Sequence, residues 1–433
     1  MKRRKPRNDP SHASFMKTAS HLPHPSPVQL ALEGGPPAVR AKPQPLIRWG
    51  DPERQRLAEM IGQPSLFYWN GPQTRLLVER FRAIFSLSHV MPCSSGTAAI
   101  HIAVQAAGIA PGDEVITSPI TDMGTVIGIL YQQGVPVFAD LEADRYNLDP
   151  ADVRRKITPR TKAILAVHLA GNPCDLARLR AIADEHRLVL IEDCAQAWGA
   201  RWQGRPVGTV GDLGCWSLND FKHIGSGDGG IVATNQPRFG ALLQRCGDKA
   251  YDREKKTRAP EFLAPNYRIS EPQSAVAAEQ MLRMEEIAAA RGRLGMLLGE
   301  KLRGIPGIQL PRVEENDSCS FWFFMLRMDP SAFRCDRATF VEALCAEGVL
   351  AGAGYIPTPL YRYPAFQNHN FFGGRWPVKD FGLTTMDYRE VRCPEAEGIL
   401  ETAILLQLNQ GMTETFILET AEAFRKVAAH YRK

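Results

Sequence analysis

Hydrophobic positions divide the chain into a long region of alternating helical and extended segments and a shorter region with a different pattern. Apolar residues recur at helical spacing in 74–85 and in 96–107, which Gly108 ends. The predicted strands are 89–92, 115–117, 136–139, 163–167, 188–191, 215–218 and 231–234, and further helices are predicted at 125–131 and 176–186. Because these strands are almost entirely apolar and alternate with helices, they predict an α/β fold with a mostly parallel seven-stranded sheet covered on both faces.

The pattern changes near residue 285, where we expect the large domain (31–285) to end. The elements predicted beyond it are a strand at 320–328 and helices at 284–302, 337–347 and 414–430. They indicate a smaller C-terminal α+β domain (286–433), with Thr413 as the N-cap of the last helix. The stretch 355–393 is rich in Pro, Gly and aromatic residues and has no period, which is typical of functional or mobile segments.

Composition excludes several classes of protein. Residues 1–30 are basic and rich in Pro, Ser and His, which predicts a disordered tail, and no apolar signal-peptide core follows. No segment reaches the ~18 apolar residues of a membrane helix. The net charge of +5 over 433 residues, without a basic stripe, argues against a nucleic-acid partner. Nine scattered cysteines without a CxxC pair argue against a disulfide framework or a zinc site and favour the reducing cytoplasm.

Polar residues lie where predicted strands end or helices begin, the edge at which open α/β sheets bind ligands. Ser95, Gly96 and Thr97 open a helix whose free N–H groups favour a phosphate, although taken alone a plain N-cap is the commoner explanation of such residues. Asp193 and Gln196 follow an apolar strand. A carboxylate in that place can pair with a protonated ring nitrogen, bind a metal or cap a helix.

Lys222 lies between an apolar strand and a glycine-rich turn, in the segment SLNDFKHIGSGDGG. Lysine forms Schiff bases, and partial burial lowers its pKa towards useful values, although most single lysines are surface residues. The glycines precede a strand instead of following one, which argues against a dinucleotide fingerprint.

In this order on one α/β domain, these motifs resemble the DegT/DnrJ/EryC1/StrS family of pyridoxal-phosphate (PLP) dependent sugar aminotransferases, which have the fold-type I architecture of aspartate aminotransferase. The resemblance extends from about residue 41 to the C-terminus. The matching segments are SSGTAAI, GDEVITSP, PVFADL, TKAILAVHLAGNPCD, IEDCAQAWGA, GCWSLNDFKHIGSGDGG and NYRISEPQSA. The resemblance implies PLP as the cofactor and a homodimer with shared active sites.

The resemblance also implies roles for single residues. Lys222 would be the catalytic residue that forms the Schiff base with PLP and acts as general acid and base. Asp193 would keep the pyridine nitrogen protonated, and Gln196 would reach the ring hydroxyl. The residues implied to hold the phosphate are Gly96, Thr97 and Ser217, together with Asn266 of the second subunit.

Three positions leave alternatives open. Family members carry a histidine near the cofactor at the position of His168, but a satisfied core histidine explains it equally well. Asp122 replaces an aromatic residue that stacks on the PLP ring in many members. Either Met123 or another side chain covers the ring, or Asp122 contacts substrate hydroxyls, or Asp122 or its neighbour only caps the next helix. In the small domain, Tyr355 and Tyr361 replace two histidines of the family motif, which leaves the substrate contacts open.

The activity implied by the resemblance is transfer of an amino group from glutamate or glutamine to a keto-sugar or a keto-cyclitol. Family frequency favours a nucleotide-linked sugar. One alternative is a PLP-dependent sugar dehydratase, in which histidine replaces the lysine; Lys222 argues for transamination, although His223 adjoins it. The other alternative is a non-catalytic regulator that binds PLP without converting an amino donor.

Overall fold

A seven-stranded sheet forms the centre of the computed structural model, which describes residues 29–433; the predicted tail falls outside these residues except for Gln29 and Leu30. In chain order, the strands of this sheet and of a small hairpin (β6, β7) are β1 (His89–Cys93), β2 (Glu114–Thr117), β3 (Val135–Phe138), β4 (Thr161–Val167), β5 (Val189–Asp193), β6 (Arg201–Trp202), β7 (Arg205–Pro206), β8 (Leu213–Ser217) and β9 (Gly230–Thr234). The strand order is β1-β9-β8-β5-β4-β2-β3. Six of the seven strands point in one direction, and only β9, between β1 and β8, points in the opposite direction. The predicted mostly parallel sheet is therefore confirmed.

Helices and loops cover both faces of this sheet. Val115 and Ile116 are consecutive, fully buried residues of β2, yet they belong to separate hydrophobic cores, as expected when side chains alternate between two covered faces. The helices of this region are α1 (Asp51–Ile61), α2 (Pro72–Phe85), α3 (Gly96–Ala106), α4 (Gly124–Tyr131), α5 (Pro150–Lys156), α6 (Leu176–His186), α7 (Pro237–Gly247) and α8 (Glu271–Met281). The sequence pattern did not predict α1, α5, α7 and α8.

The C-terminal part of the chain contains a second, smaller sheet of four antiparallel strands, in the order β10-β11-β13-β12. Its elements are α9 (Met284–Leu302), β10 (Ile308–Gln309), β11 (Phe323–Met328), α10 (Arg337–Ala346), β12 (Ala351–Ala353), α11 (Pro364–Gln367), α12 (Pro377–Asp380), α13 (Pro394–Thr402), β13 (Ala403–Gln407) and α14 (Glu414–Tyr431). The side chain of Thr413 accepts the N–H of Phe416, which confirms the predicted N-cap of α14. Leu30 and Val39 are buried in the core of this sheet, so the start of the described chain packs here. The domain limits at 30 and 285 remain predictions.

The stretch 355–393, expected to be functional or mobile, packs against the large sheet through buried aromatic side chains. Phe366, Trp376 and Tyr388 are fully buried, and the hydroxyl of Tyr388 donates to the Pro136 carbonyl of β3 at 3.0 Å. Tyr361 is also buried, and its hydroxyl contacts Glu397 at 2.5 Å. These aromatic side chains extend the hydrophobic core, which explains their number without periodicity.

Among residues 29–433, no helix combines the length and the apolar character needed to cross a membrane. All nine cysteines lie in this range, and each is a free thiol.

Candidate active site

The three polar features predicted from the sequence meet at one cavity of about 280 Å³. It lies where β5 and β8 end and α3 begins, at the carboxyl edge of the parallel strands. The predicted site residues that line it are Gly96, Thr97, Asp122, Asp193, Gln196, Ser217 and Lys222. The sequence did not single out Thr125, Asn219 and Asp228, which line it as well.

The N-terminus of α3 forms one end of the cavity. The hydroxyl of Ser95 accepts the N–H of Ala98 at 3.0 Å and so caps the helix. A Cβ atom at Gly96 would lie 2.7 Å from Cβ of Ser217, so only glycine allows the helix to come this close to β8. The remaining free N–H groups of the first turn make this end suited to an anion.

Asp193 occupies the floor of the cavity, and its orientation is fixed. One carboxylate oxygen accepts the hydroxyl of Thr125 at 2.9 Å, and the other accepts the N–H of Ala195 at 3.0 Å. Burial raises the pKa of Asp193, while these two hydrogen bonds and the charge of Lys222 act in the opposite direction. A buried carboxylate of this kind is stabilised by a cationic partner.

Glu192 precedes Asp193, but its side chain is bound entirely by protein groups. It accepts N–H groups from Gly208, Val210 and Gly211 and the Nε2–H of His168. Because Nδ1 of His168 accepts the N–H of Cys174 at 3.1 Å, both ring nitrogens are occupied. His168 is fully buried and does not line the cavity, so the structure favours the core-histidine interpretation.

Lys222 extends from the β8–β9 loop into the cavity. Burial lowers the pKa of Lys222 to about 8, although the charges of Asp193 and Asp122 oppose this effect. Its ammonium nitrogen lies 3.8 Å from the centroid of the Trp322 ring, a contact that the sequence did not suggest. A lysine with this pKa has a substantial neutral fraction near neutral pH, as nucleophilic catalysis requires.

Asp122 lies at the mouth of the cavity. One of its carboxylate oxygens accepts the N–H of Gly124, the first residue of α4, at 2.8 Å, although the N-cap position itself is occupied by Met123. The side chain is otherwise exposed. Burial and then the charge of Asp122 raise the pKa of Tyr355 and Tyr363, so both hydroxyls lie within its electrostatic reach. This end of the cavity therefore presents a carboxylate oxygen of Asp122 that makes no hydrogen bond to the chain's backbone at Gly124.

Gln196 connects the cavity to the small sheet. Its side-chain oxygen accepts the N–H of Ala170 at 2.9 Å, and its amide nitrogen donates to the hydroxyl of Tyr355 at 3.2 Å. His223 faces away from the cavity: it is buried, and its Nε2 lies 3.1 Å from the Ser320 carbonyl, to which it donates. Asn266 is exposed and does not line the cavity of its own chain.

Residues 50–425 match the model of the DegT/DnrJ/EryC1/StrS aminotransferase family. The chain belongs to this family. The family assignment confirms the predicted resemblance, the fold class and the activity class of a PLP-dependent aminotransferase.

Relatives of this DegT/DnrJ/EryC1/StrS aminotransferase include enzymes and solved structures. It is 36% identical over 356 residues to the L-glutamine:2-deoxy-scyllo-inosose aminotransferase of Streptoalloteichus tenebrarius, with 76% of this chain and 82% of that protein covered. The aminotransferase from Psychrobacter cryohalolentis superposes with a TM-score of 0.80 at 26% identity, covering 90% of this chain and 99% of that one. The structure of S. venezuelae DesV in complex with a ketimine intermediate superposes with a TM-score of 0.75 at 28% identity. The match covers 87% of this chain and 94% of that one.

Proposed function

We propose that this aminotransferase binds PLP in the cavity between α3, β5 and β8 and transfers an amino group from glutamine or glutamate to the ketone of a polyhydroxylated ring. The observation that carries the proposal is that Lys222 and Asp193 face one cavity whose far end is a capped helix N-terminus. These are a nucleophilic amine, a buried carboxylate and an anion site, the three groups that the cofactor needs.

The residues present fit PLP. The first turn of α3, with Gly96, Thr97 and the hydroxyl of Ser217, would hold the phosphate. Asp193 would hold the proton of the ring nitrogen, and Gln196 would bind the ring hydroxyl. The close approach at Gly96 supports this assignment, because a side chain there would fill the space beside Ser217. When bound, the cofactor supplies an electron sink for the carbon from which a proton is removed.

Lys222 would move that proton. Its neutral amine would take the proton from the substrate carbon as a base and, as the ammonium, would deliver it to the carbon of the cofactor that carries the amino group, and a pKa of about 8 lets both forms exist near neutral pH. Asp193 and Asp122 provide negative charge beside the ammonium form.

A free keto-cyclitol is the acceptor that we favour over a nucleotide-linked sugar. Three relatives at 34–36% identity are named as glutamine-dependent aminotransferases of scyllo-inosose compounds, or putatively so. The second oxygen of Asp122, together with the Tyr355 hydroxyl hydrogen-bonded to Gln196, would offer partners for the hydroxyl groups of such a ring. This proposal replaces the preference for a nucleotide-linked sugar that rested on family frequency.

The proposal includes a homodimer in which Asn266 reaches the phosphate in the second subunit's site. Its exposure on the surface of its own chain supports such a contact. Exposed apolar side chains also support association of two copies, among them Ile47, Trp49, Phe221 and Leu263, which are 44% to 91% exposed.

The test uses the protein reconstituted with PLP. Borohydride reduction followed by peptide mass spectrometry is expected to attach the cofactor to Lys222, with Lys222→Arg as the control that forms no adduct. L-glutamine or L-glutamate is then expected to convert the visible absorption of bound PLP into that of pyridoxamine phosphate.

The enzyme whose cofactor has been converted to pyridoxamine phosphate is next mixed with 2-deoxy-scyllo-inosose or with a nucleotide-linked 4-keto-sugar. Recovery of the PLP spectrum with 2-deoxy-scyllo-inosose alone supports a keto-cyclitol acceptor. Recovery with the nucleotide-linked sugar alone overturns the proposal of a keto-cyclitol acceptor. An adduct at Lys222 without conversion by any amino donor would favour the non-catalytic regulator, and no adduct would refute the role of Lys222.

A further inference from the structure

Trp322 contacts the tip of Lys222 and the backbone beside it. The ammonium nitrogen of Lys222 lies 3.8 Å from the centroid of the Trp322 ring. The ring N–H of the same tryptophan donates to the carbonyl of Phe221 at 2.7 Å. One side chain from outside the large sheet therefore touches both ends of the lysine.

The segment 320–322 is itself held firmly. Its backbone N–H groups at Ser320 and Trp322 donate to the carbonyls of Gly171 and Ala170, at 3.1 and 2.8 Å. Phe321 between them has a φ of 42°, a left-handed conformation that a non-glycine residue adopts only when its surroundings enforce it. The imidazole of His223, which follows Lys222, donates to the Ser320 carbonyl. The backbone that carries the indole is thus held by contacts that do not involve the side chain of Lys222.

The groups that surround Lys222 are mostly charged, and a neutral aromatic face acts on its ammonium differently from any of them. Asp193 at the end of β5 and Asp122 before α4 face its ammonium, and Asp228 lines the same cavity. On the opposite side, Arg48 donates to the backbone carbonyl of Lys222. The face of an indole attracts a cation through its quadrupole but cannot take up its proton, unlike a carboxylate. The ring therefore stabilises the ammonium in one place without competing for the proton.

We propose that Trp322 is a positioning residue for Lys222: the face of its indole holds the Lys222 ammonium, and its ring N–H fixes the loop from which that lysine extends. The meaning of this role in catalysis rests on the proposed function of Lys222. The contact itself does not, since it concerns only the two side chains. Loss of the aromatic face shifts the balance between ammonium and neutral amine towards the neutral amine.

The experiment measures the protonation of Lys222 in the full-length protein without PLP. Potassium cyanate carbamylates only the neutral amine, so the rate at Lys222 between pH 6.5 and 9.5, read by peptide mass spectrometry, gives its midpoint. We expect the midpoint to fall by about one pH unit in Trp322→Leu. It should fall less in Trp322→Phe, which keeps an aromatic face but lacks the N–H. Trp202→Leu, at a half-buried tryptophan that does not line the cavity, should leave it unchanged.

An unchanged or raised midpoint in both Trp322 variants would overturn the proposal. If Trp322→Leu does not fold, as judged by its melting temperature, Trp322→Phe and Trp322→Tyr test the proposal instead. Both keep an aromatic face, so we expect the midpoint of Lys222 to fall in both, but by less than in Trp322→Leu. Failure of the proposed function would show differently: borohydride would then attach no PLP to Lys222 in the unaltered protein, while the cyanate midpoints would still differ.

Discussion

Glu192 and Asp193 are neighbours on β5, and the alternation of the strand gives them different tasks. Glu192 accepts four hydrogen bonds from protein groups and is fully buried. Asp193 accepts two and lines the cavity. Of the two carboxylates, only Asp193 is therefore available to a ligand.

Replacing Asp193 with asparagine removes this charge with little change in shape. We expect the reaction with L-glutamine to slow by on the order of 10²-fold or more, because an amide does not keep a ring nitrogen protonated. Single-turnover absorption spectroscopy measures this rate. Asp149→Asn is the matched control, since Asp149 caps α5 far from the cavity and asparagine caps equally well. Equal rates in both variants would contradict the role of Asp193.

The pKa of Lys222 gives a prediction about cofactor capture. Only the neutral amine attacks an aldehyde, and burial sets the pKa of this lysine to about 8. The rate at which PLP-free protein captures PLP should therefore rise about tenfold per pH unit below pH 8 and level off above it. Stopped-flow absorption from pH 6 to 9.5 measures the profile. A rate that keeps rising steeply to pH 9.5 would mean that Lys222 has an ordinary pKa.

At the scale of elements, the cavity depends on how closely α3 approaches β8. The contact between Gly96 and Ser217 leaves no room for a Cβ atom, which would lie 2.7 Å from the nearest side-chain carbon. Side chains at this crossing would separate the helix N-terminus from the loop that carries Lys222.

A pair of substitutions tests this crossing. Gly96→Ala should weaken PLP binding by about tenfold or more, because overpacking costs about 1–3 kcal/mol at a tight contact. Adding Ser217→Gly removes the opposing Cβ and should recover part of the loss, after allowance for Ser217→Gly alone. Equilibrium dialysis or absorption titration gives the dissociation constants. A strictly additive double variant would mean that the two residues do not act through this contact.

Sequence patterns predicted some elements far better than others. The strands of the large sheet were found because short, continuous apolar runs between turn residues are typical of buried parallel strands, and α3 because it combines a capping serine with apolar residues. The helix α8 was missed because it is buried almost all round and is built from small and polar residues, so no apolar stripe appears. The order of strands, with β9 between β1 and β8, depends on long-range pairing that no local pattern records.

At the scale of the whole molecule, the first described residues close onto the C-terminal part of the chain. Glu347, fully buried at the end of α10, accepts the N–H groups of Ala31 and Ala38 at 2.8 Å each. Lys426 of α14 pairs with the same carboxylate at 2.8 Å. One side chain thus joins the first described residues to α10 and α14 beside the small sheet.

Glu347→Ala should release the segment 31–41. It leaves the ammonium of Lys426 and two N–H groups without their partner, which costs about 3–5 kcal/mol for a buried pair. Trypsin should then cleave after Arg40 well before it cleaves at sites within residues 43–433, as intact-mass analysis would show. Glu422→Ala, at an exposed position of α14, is the control. Equal cleavage in the two variants would mean that Glu347 does not hold this segment.

The candidate site was predictable as far as its residues belong to local motifs. Gly96, Asp193 and Lys222 each follow or precede a recognisable element, and the cavity brings them together. Trp322 and Tyr355 lie about 100 residues or more further along the chain, inside segments whose aromatic residues mostly form core. Their contribution depends on how the small sheet packs on the large one, which local sequence does not determine.

The crossing of 170–171 with 320–322 has a consequence for protein engineering. Ala170 and Phe321 are both left-handed non-glycine residues, and the segment 320–322 donates two backbone hydrogen bonds to the carbonyls of 170–171. Consider a chimera that is spliced between these two segments and takes its C-terminal part from another protein of the family. Its segment 320–322 would come from a different parent than the segment 170–171 on which it packs. Recombination libraries should inherit 170–171 and 320–322 from one parent, and a splice site downstream of residue 328 should be tolerated better than one at residue 300.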